Sequence, residues 1–168
     1  MREIPITVIP FSSIYTSAVI QLILSIQQAE YELPITVDDQ PDLQDIVGFY
    51  QHGVGNFWVA LHKEQVVGTI ALLDIGSKNA ALRKMFVAEP FRGVGHGTAK
   101  HLLNTLLNWA CSHNVHAIYL GTTDRFIAAH RFYEKHDFTE IAIHDLPASF
   151  PLMAVDSKFY RYIFGEAS

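Results

Sequence analysis

The 168-residue chain predicts a mixed α/β (α+β) fold built on one mostly antiparallel sheet. Three observations carry that expectation. Two β-rich runs, 57–61 and 66–73, are parted by a short polar turn. An unbroken apolar stripe of helical period covers 99–110. The hairpin strands come first, and a strand–turn–helix–strand unit follows them. Apolar residues make up 49% of the chain and charged residues 17%, so a packed core is expected. The length suits a single domain over 1–168.

The first strand is expected over 4–10, where Ile4, Ile6 and Val8 alternate imperfectly with their neighbours. Ser12 or Ser13 can cap a helix reaching about Ala29, with Ile14, Ala18, Leu22 and Ile26 on one side. Leu33-Pro34 breaks it. Beyond the loop through Asp38-Asp39-Gln40, Pro41 suits the first helical position and Asp42 an early-turn charge. They open a short helix ending near Gly53. The two β-rich runs then form a hairpin around His62-Lys63-Glu64-Gln65. A second turn, Gly76-Ser77-Lys78-Asn79, leads into a third antiparallel strand over 80–87, which Glu89-Pro90 ends. Ala99, Leu102, Leu103, Leu106, Leu107 and Ala110 form the stripe of the long helix. A strand over 116–120, a helix over 126–135 and strands over 138–143 and 155–164 complete the chain. The last two strands are separated by the loop 147–151.

Several classes of function are disfavoured. The net charge is −5, and the longest basic run is Arg83-Lys84, which argues against a nucleic-acid binder. The single cysteine, Cys111, cannot form an internal disulfide and reads as an inert thiol on a helix, as expected in a reducing compartment. Residues 1–5 carry no apolar signal core. The stretch 18–26 is interrupted by Gln21 and Ser25, far short of the ~20 apolar residues of a membrane span. A cytoplasmic protein without membrane contact is expected. The nine histidines are scattered, and neither His96 and His101 nor His113 and His116 match a zinc-ligand spacing, so no metal is expected.

The chemistry concentrates in the strand–turn–helix segment. The strand over 82–87 feeds Arg92-Gly93-Val94-Gly95-His96-Gly97-Thr98, which opens the long helix. Unpaired N–H groups and a partial positive charge at a helix start bind phosphate, and glycines let the backbone approach it. A P-loop would need a lysine after the last glycine, where Thr98 stands. A dinucleotide fold would need a third glycine at Thr98 and a βαβ beginning. The glycines by themselves also fit a tight strand-to-helix turn with no ligand.

The segment Arg92-Gly93-Val94-Gly95-His96-Gly97 resembles the signature of the GCN5-related N-acetyltransferase superfamily. The resemblance continues in Leu82-Arg83-Lys84-Met85-Phe86-Val87, which looks like that family's central strand. Ala129-His130-Arg131-Phe132-Tyr133-Glu134-Lys135 looks like its late helix, and the element order matches across nearly the whole chain. The resemblance implies the acyl-CoA N-acyltransferase fold, with about seven strands and a splay between the central strand and the strand over 116–120. It implies acetyl-CoA as cosubstrate, with the pantetheine arm along Met85, Phe86 and Val87. The diphosphate would sit on the N–H groups of Arg92, Gly93, Val94, Gly95, His96, Gly97 and Thr98. Tyr133 matches the tyrosine that protonates the departing thiolate.

Two positions depart from the pattern. Phe126 stands where the family often has Asn, leaving Thr122 or Thr123 to contact the pantetheine arm. Asp137 replaces a glycine before Phe138, and Asp tolerates left-handed geometry. The central strand offers no carboxylate as general base. Asp74, Glu30, Glu32 or a water chain are the candidates. His130, three residues before Tyr133, reads as a supporting or a surface residue. The apolar loop 147–151, with Phe150, Leu152 and Met153, reads as a plug or homodimer contact, or as a wall of the acceptor pocket with Tyr31 and Glu32. The resemblance implies acetyl transfer to a primary amine of a small molecule or peptide by direct attack in a ternary complex. An acetyl-CoA-binding sensor without turnover is the alternative.

Overall fold

A computed structural model describes residues 5–93, 95–124 and 126–165, so Ile4 of the first expected strand lies outside the described residues. Seven strands form one sheet in the order β1-β2-β3-β4-β5-β7-β6. They are β1 Thr7–Pro10, β2 Asn56–His62, β3 Gln65–Gly76, β4 Asn79–Val87, β5 Ala117–Thr122, β6 Thr139–Ile141 and β7 Lys158–Ile163. The β4–β5 pair is parallel and every other neighbouring pair is antiparallel. A parallel pair needs a long crossover, and α4, Thr98–Ser112, supplies it.

The sheet is covered on both faces, which follows from apolar residues at successive positions of β2 and β3. Trp58, Ala60, Ile70 and Leu72 join Leu102, Leu103 and Leu106 of α4 in one core. Phe57, Val59 and Ala71 point the other way, joining Val19 and Ile23 of α1 (Thr16–Ser25) and Leu43, Ile46 and Tyr50. Each fully buried leucine of α4 contributes about 1.5–3 kcal/mol relative to exposure, which anchors the long helix.

The helix expected from Ser12 to Ala29 is observed in three parts. A 3-10 turn, Ser13–Tyr15, precedes α1, and a π turn, Ile26–Glu30, follows it, with Tyr31 N–H donating to Ile26 O at 3.2 Å. The helix expected from Pro41 to Gly53 is two short ones, α2 Pro41–Gln44 and α3 Ile46–Tyr50. Asp45 causes the break. Its backbone leaves the helical region, and its Oδ1 accepts from Gly48 N–H at 3.0 Å, capping a new helix. The short helix α5 spans Ile127–Lys135, and Phe126 is its N-cap, one residue outside it. Asp137 adopts φ 73, the left-handed turn expected of it.

Candidate active site

Strands β4 and β5 part company early. Their pairing covers Asn79↔Ala117, Ala80↔Ile118 and Ala81↔Tyr119, and no pairing joins them further along. The gap opens into a cavity of about 450 Å³. Residues 82–86 of β4 line one side and residues 120–123 the other. Tyr133 of α5 borders it, as do Phe150, Pro151 and Met153 of the loop before β7. The loop is thus a wall of this cavity. Tyr31 and Glu32 are not among the lining residues, and Leu33, Pro34 and Ile35 occupy that side.

A β-bulge shapes the β4 wall. Thr69 pairs with Phe86 and Ala71 with Arg83, so Lys84 and Met85 stand opposite Ile70 alone. Lys84 takes φ 52, and its carbonyl accepts from Thr69 Oγ1 at 2.7 Å. The extra residue sends two consecutive basic side chains to the same α2–α3 layer. Arg83 lies over the Phe49 ring at 5.8 Å, and Lys84 Nζ sits 3.6 Å from Asp42 Oδ2. Lys84 also donates to Gln40 Oε1, and Tyr50 OH donates to Asp42 Oδ2 at 2.6 Å. Burial pushes the Lys84 ammonium down to about 8, with Asp42 opposing the shift. Burial also holds the Tyr50 phenol well above its usual range.

Tyr133 is buried, with its OH 3.8 Å from Met85 Sδ. Desolvation raises its phenol, so the group stays protonated at neutral pH. Met85 and Phe86 line the cavity, as do Thr122 and Thr123. The carbonyl of Val87 accepts from Arg92 Nε at 2.7 Å. His130, read as a supporting or surface residue, is buried outside the lining. Its Nε2 bonds Thr123 O at 2.9 Å and pins the turn after β5.

The glycine turn follows a 3-10 turn, Glu89–Phe91, after β4 and does not line the cavity. Val94 lies outside the described residues. The N–H groups of His96 and Gly97 turn back to Gly93 O at 3.2 and 3.3 Å. Those of Thr98, Ala99 and Lys100 have no acceptor among the described residues. Gly97, the N-cap, adopts φ 65, which favours glycine. A Cβ at Gly95 would meet nothing within 4 Å, so no described neighbour requires a glycine there, whereas an approaching ligand would. Thr98 Oγ1 is buried without a hydrogen-bond partner among the described residues. Replacing Thr98 by Val is expected to raise stability by about 1 kcal/mol in chemical denaturation of the ligand-free protein, since an unsatisfied hydroxyl is removed at nearly constant shape.

The Arg92 side chain does not stand free beside the glycine turn. Instead Glu30 holds its guanidinium at both nitrogens, Nη1 to Oε1 at 2.7 Å and Nη2 to Oε2 at 2.9 Å. That pair also removes Glu30 from the bases available at the cavity. Asp74 is occupied elsewhere, accepting from Val54 N–H and Gly76 N–H at the hairpin end. Glu32 is exposed and away from the lining. Among the described residues, the carboxylates that do line the cavity are Asp39 and Asp156. Asp39 is exposed and accepts from Thr36 N–H and Oγ1. Asp156 is half-buried, accepts from Met153 N–H at 3.1 Å, and has its carboxyl raised by desolvation. Gly121 makes room for it, since a Cβ there would meet Asp156 Oδ2 at 2.6 Å. Sequence reasoning overlooked Asp156 because a lone Asp in a loop carries no spacing signal. Arg83 and Lys84 were read as a basic run within the central strand, with no role at the cavity.

No group of His, Cys, Asp or Glu able to hold a metal ion occurs among the described residues, and no helix there is long and apolar enough to cross a membrane. Cys111 is exposed and unpaired by any disulfide.

A splayed sheet with a phosphate-type helix start beside the splay defines a class, and comparison with known proteins gives the same class. The sequence matches the profile of the Acetyltransferase (GNAT) family over residues 20–138, well over half of its length, and the chain belongs to that family. It is 38% identical over 102 residues to N-acetylaspartate synthetase of Danio rerio, covering 60% of this chain and 36% of that protein. The chain therefore spans little more than a third of that relative. An acetyltransferase of the GNAT family from Staphylococcus aureus Mu50 superposes with a TM-score of 0.90 at 40% identity, covering 94% of this chain and 98% of that one. An acetyltransferase from Streptococcus agalactiae 2603 superposes with a TM-score of 0.90 at 29% identity, covering 95% and 98% respectively.

Proposed function

We propose that the protein transfers the acetyl group of acetyl-CoA to a primary amine of a small molecule or peptide, by direct attack in a ternary complex. The observation that carries this reading is the free edge of β4 beyond Ala81, which leads from the cavity toward a helix start with unpaired N–H groups. A pantetheine arm fits such an edge as an added strand, and a diphosphate fits such a helix start. The backbone of Met85, Phe86 and Val87 would hold the arm, and the glycine turn would let the diphosphate reach the free N–H groups that begin α4 at Thr98, Ala99 and Lys100. Family membership supports the transfer, and the relative's name, N-acetylaspartate synthetase, concerns a product acetylated on an amine nitrogen.

In this reading the acceptor nitrogen bonds to the thioester carbonyl carbon and the carbon–sulfur bond breaks. Asp156 takes the proton that the ammonium must lose, Tyr133 gives its proton to the departing sulfur, and the second proton shed by the acylated nitrogen restores the phenol. Binding both reactants in one cavity supplies much of the rate through entropy already lost.

Release of free thiol from acetyl-CoA, measured against a panel of amines, tests the proposal. Turnover with at least one amine is expected. Calorimetric CoA binding without thiol release from any amine would favour the sensor reading instead. Gly95→Trp is expected to abolish CoA binding while the protein keeps its melting temperature, because the indole has open space to fill where the ligand would pass. Wild-type affinity in that variant would move the diphosphate site elsewhere.

A further inference from the structure

The cavity wall holds two neighbouring cations in different states. Lys84 is matched by Asp42, its side chain almost fully buried in a hydrogen-bonded group with Gln40. Arg83 has no carboxylate within ion-pair distance among the described residues. Its contacts are the Phe49 face and Met153 Sδ, at 3.8 Å from Nη2. A half-buried guanidinium keeps several donors, and neither an aromatic face nor a thioether satisfies their planar fork. The matching partner for that fork is a carboxylate, bound through two parallel hydrogen bonds. Asp156 lines the same cavity, close enough to Arg83 for the guanidinium to stabilise its charged form. With Lys84 matched by Asp42 and Asp39 exposed at the margin, the wall leaves Arg83 and Asp156 as a cation and an anion on one cavity, complementary to a zwitterion.

We propose that the acceptors of this cavity are amines that also bear a carboxylate, as amino acids do, and that Arg83 is the specificity-determining residue that holds the carboxylate. The inference rests on the acetyl-transfer reading and narrows it to one substrate class.

The test measures kcat/KM for thiol release by the wild-type protein with three groups of acceptor. These are free amino acids including aspartate, glutamate and glycine, the amides of the same amino acids, and simple amines and diamines without a carboxylate. The carboxylate-bearing group is expected to be preferred by about 10²-fold, mostly through KM, as suits a charged hydrogen-bonding partner. Arg83→Gln is expected to bring that preference down to within about 3-fold, and Arg83→Lys to restore part of it, since a lysine keeps the charge but loses the fork. CoA affinity, read by calorimetry, is expected to stay unchanged in both variants, which also shows that they fold. If amides or diamines react as well as the free amino acids in the wild-type protein, the inference is overturned while acetyl transfer stands. If Arg83→Gln keeps the full preference, another residue holds the carboxylate and the assignment of Arg83 falls. Thiol release from no acceptor in any group, with CoA still bound, would remove the transfer reading and this inference together.

Discussion

Tyr133→Phe is expected to lower kcat by about 10²–10⁴-fold, the range of a lost general acid, with CoA affinity nearly unchanged. The cost falls on the chemical step because the hydroxyl makes little else. Its one contact at hydrogen-bonding range among the described residues is the Met85 thioether at 3.8 Å, while the ring keeps its packing against Phe132, Phe138 and Tyr160. Burial raises the phenol above its ordinary value of 10.0, so the acid form persists across the neutral range. The sign for stability follows. Above pH 10.0 the unfolded chain releases this proton while the native one retains it, so the stabilisation is intact below that pH and is lost as pH rises further. The Phe variant lacks this ionisation and is expected to resist alkaline unfolding better than the wild type. A variant that turns over at the wild-type rate would show that another group protonates the sulfur.

Asp42→Ala is expected to cost about 3–5 kcal/mol in urea unfolding at pH 7, the scale of a buried ion pair broken on one side. Removing the carboxylate strands the Lys84 ammonium and leaves Tyr50 OH without its acceptor. Lys84 already has its ammonium pushed down to about 8 with Asp42 present. Between about 8 and 10.5 the unfolded chain holds a proton that native Lys84 has released, so this group makes stability rise with pH across that window. Without Asp42 the window opens at lower pH, and the variant's deficit is expected to shrink between pH 7 and pH 9. An equal deficit at both values would mean that the ammonium is not the stranded group.

Features written locally in the chain were legible. The stripe of α4, both hairpin turns and the left-handed Asp137 each follow from residues close in sequence, and each is observed. The glycine turn was also legible as a helix start with spare N–H groups. What escaped notice depends on distant partners. Arg92 reads as a phosphate ligand until Glu30, 62 residues away, is found on its guanidinium. Lys84 reads only as half of a basic run on a strand until the fold brings Gln40 and Asp42 against it. Asp45 did carry a local signal, an Asp three residues before Gly48, but a continuous helix from Pro41 obscured it.

The bulge at Lys84 also sets how the gene can change in length. A strand turns over its facing with every residue, but a bulge carries one residue to spare, so deleting Lys84 would leave Arg83 opposite Ala71, Met85 opposite Ile70 and Phe86 opposite Thr69. Met85 would stay beside Tyr133 and Phe86 in the α1 layer, while the buried pair with Asp42 would be lost. A codon removed from the regular pairing between Ala80 and Leu82 has no such slack, and would turn over the facing of its neighbours.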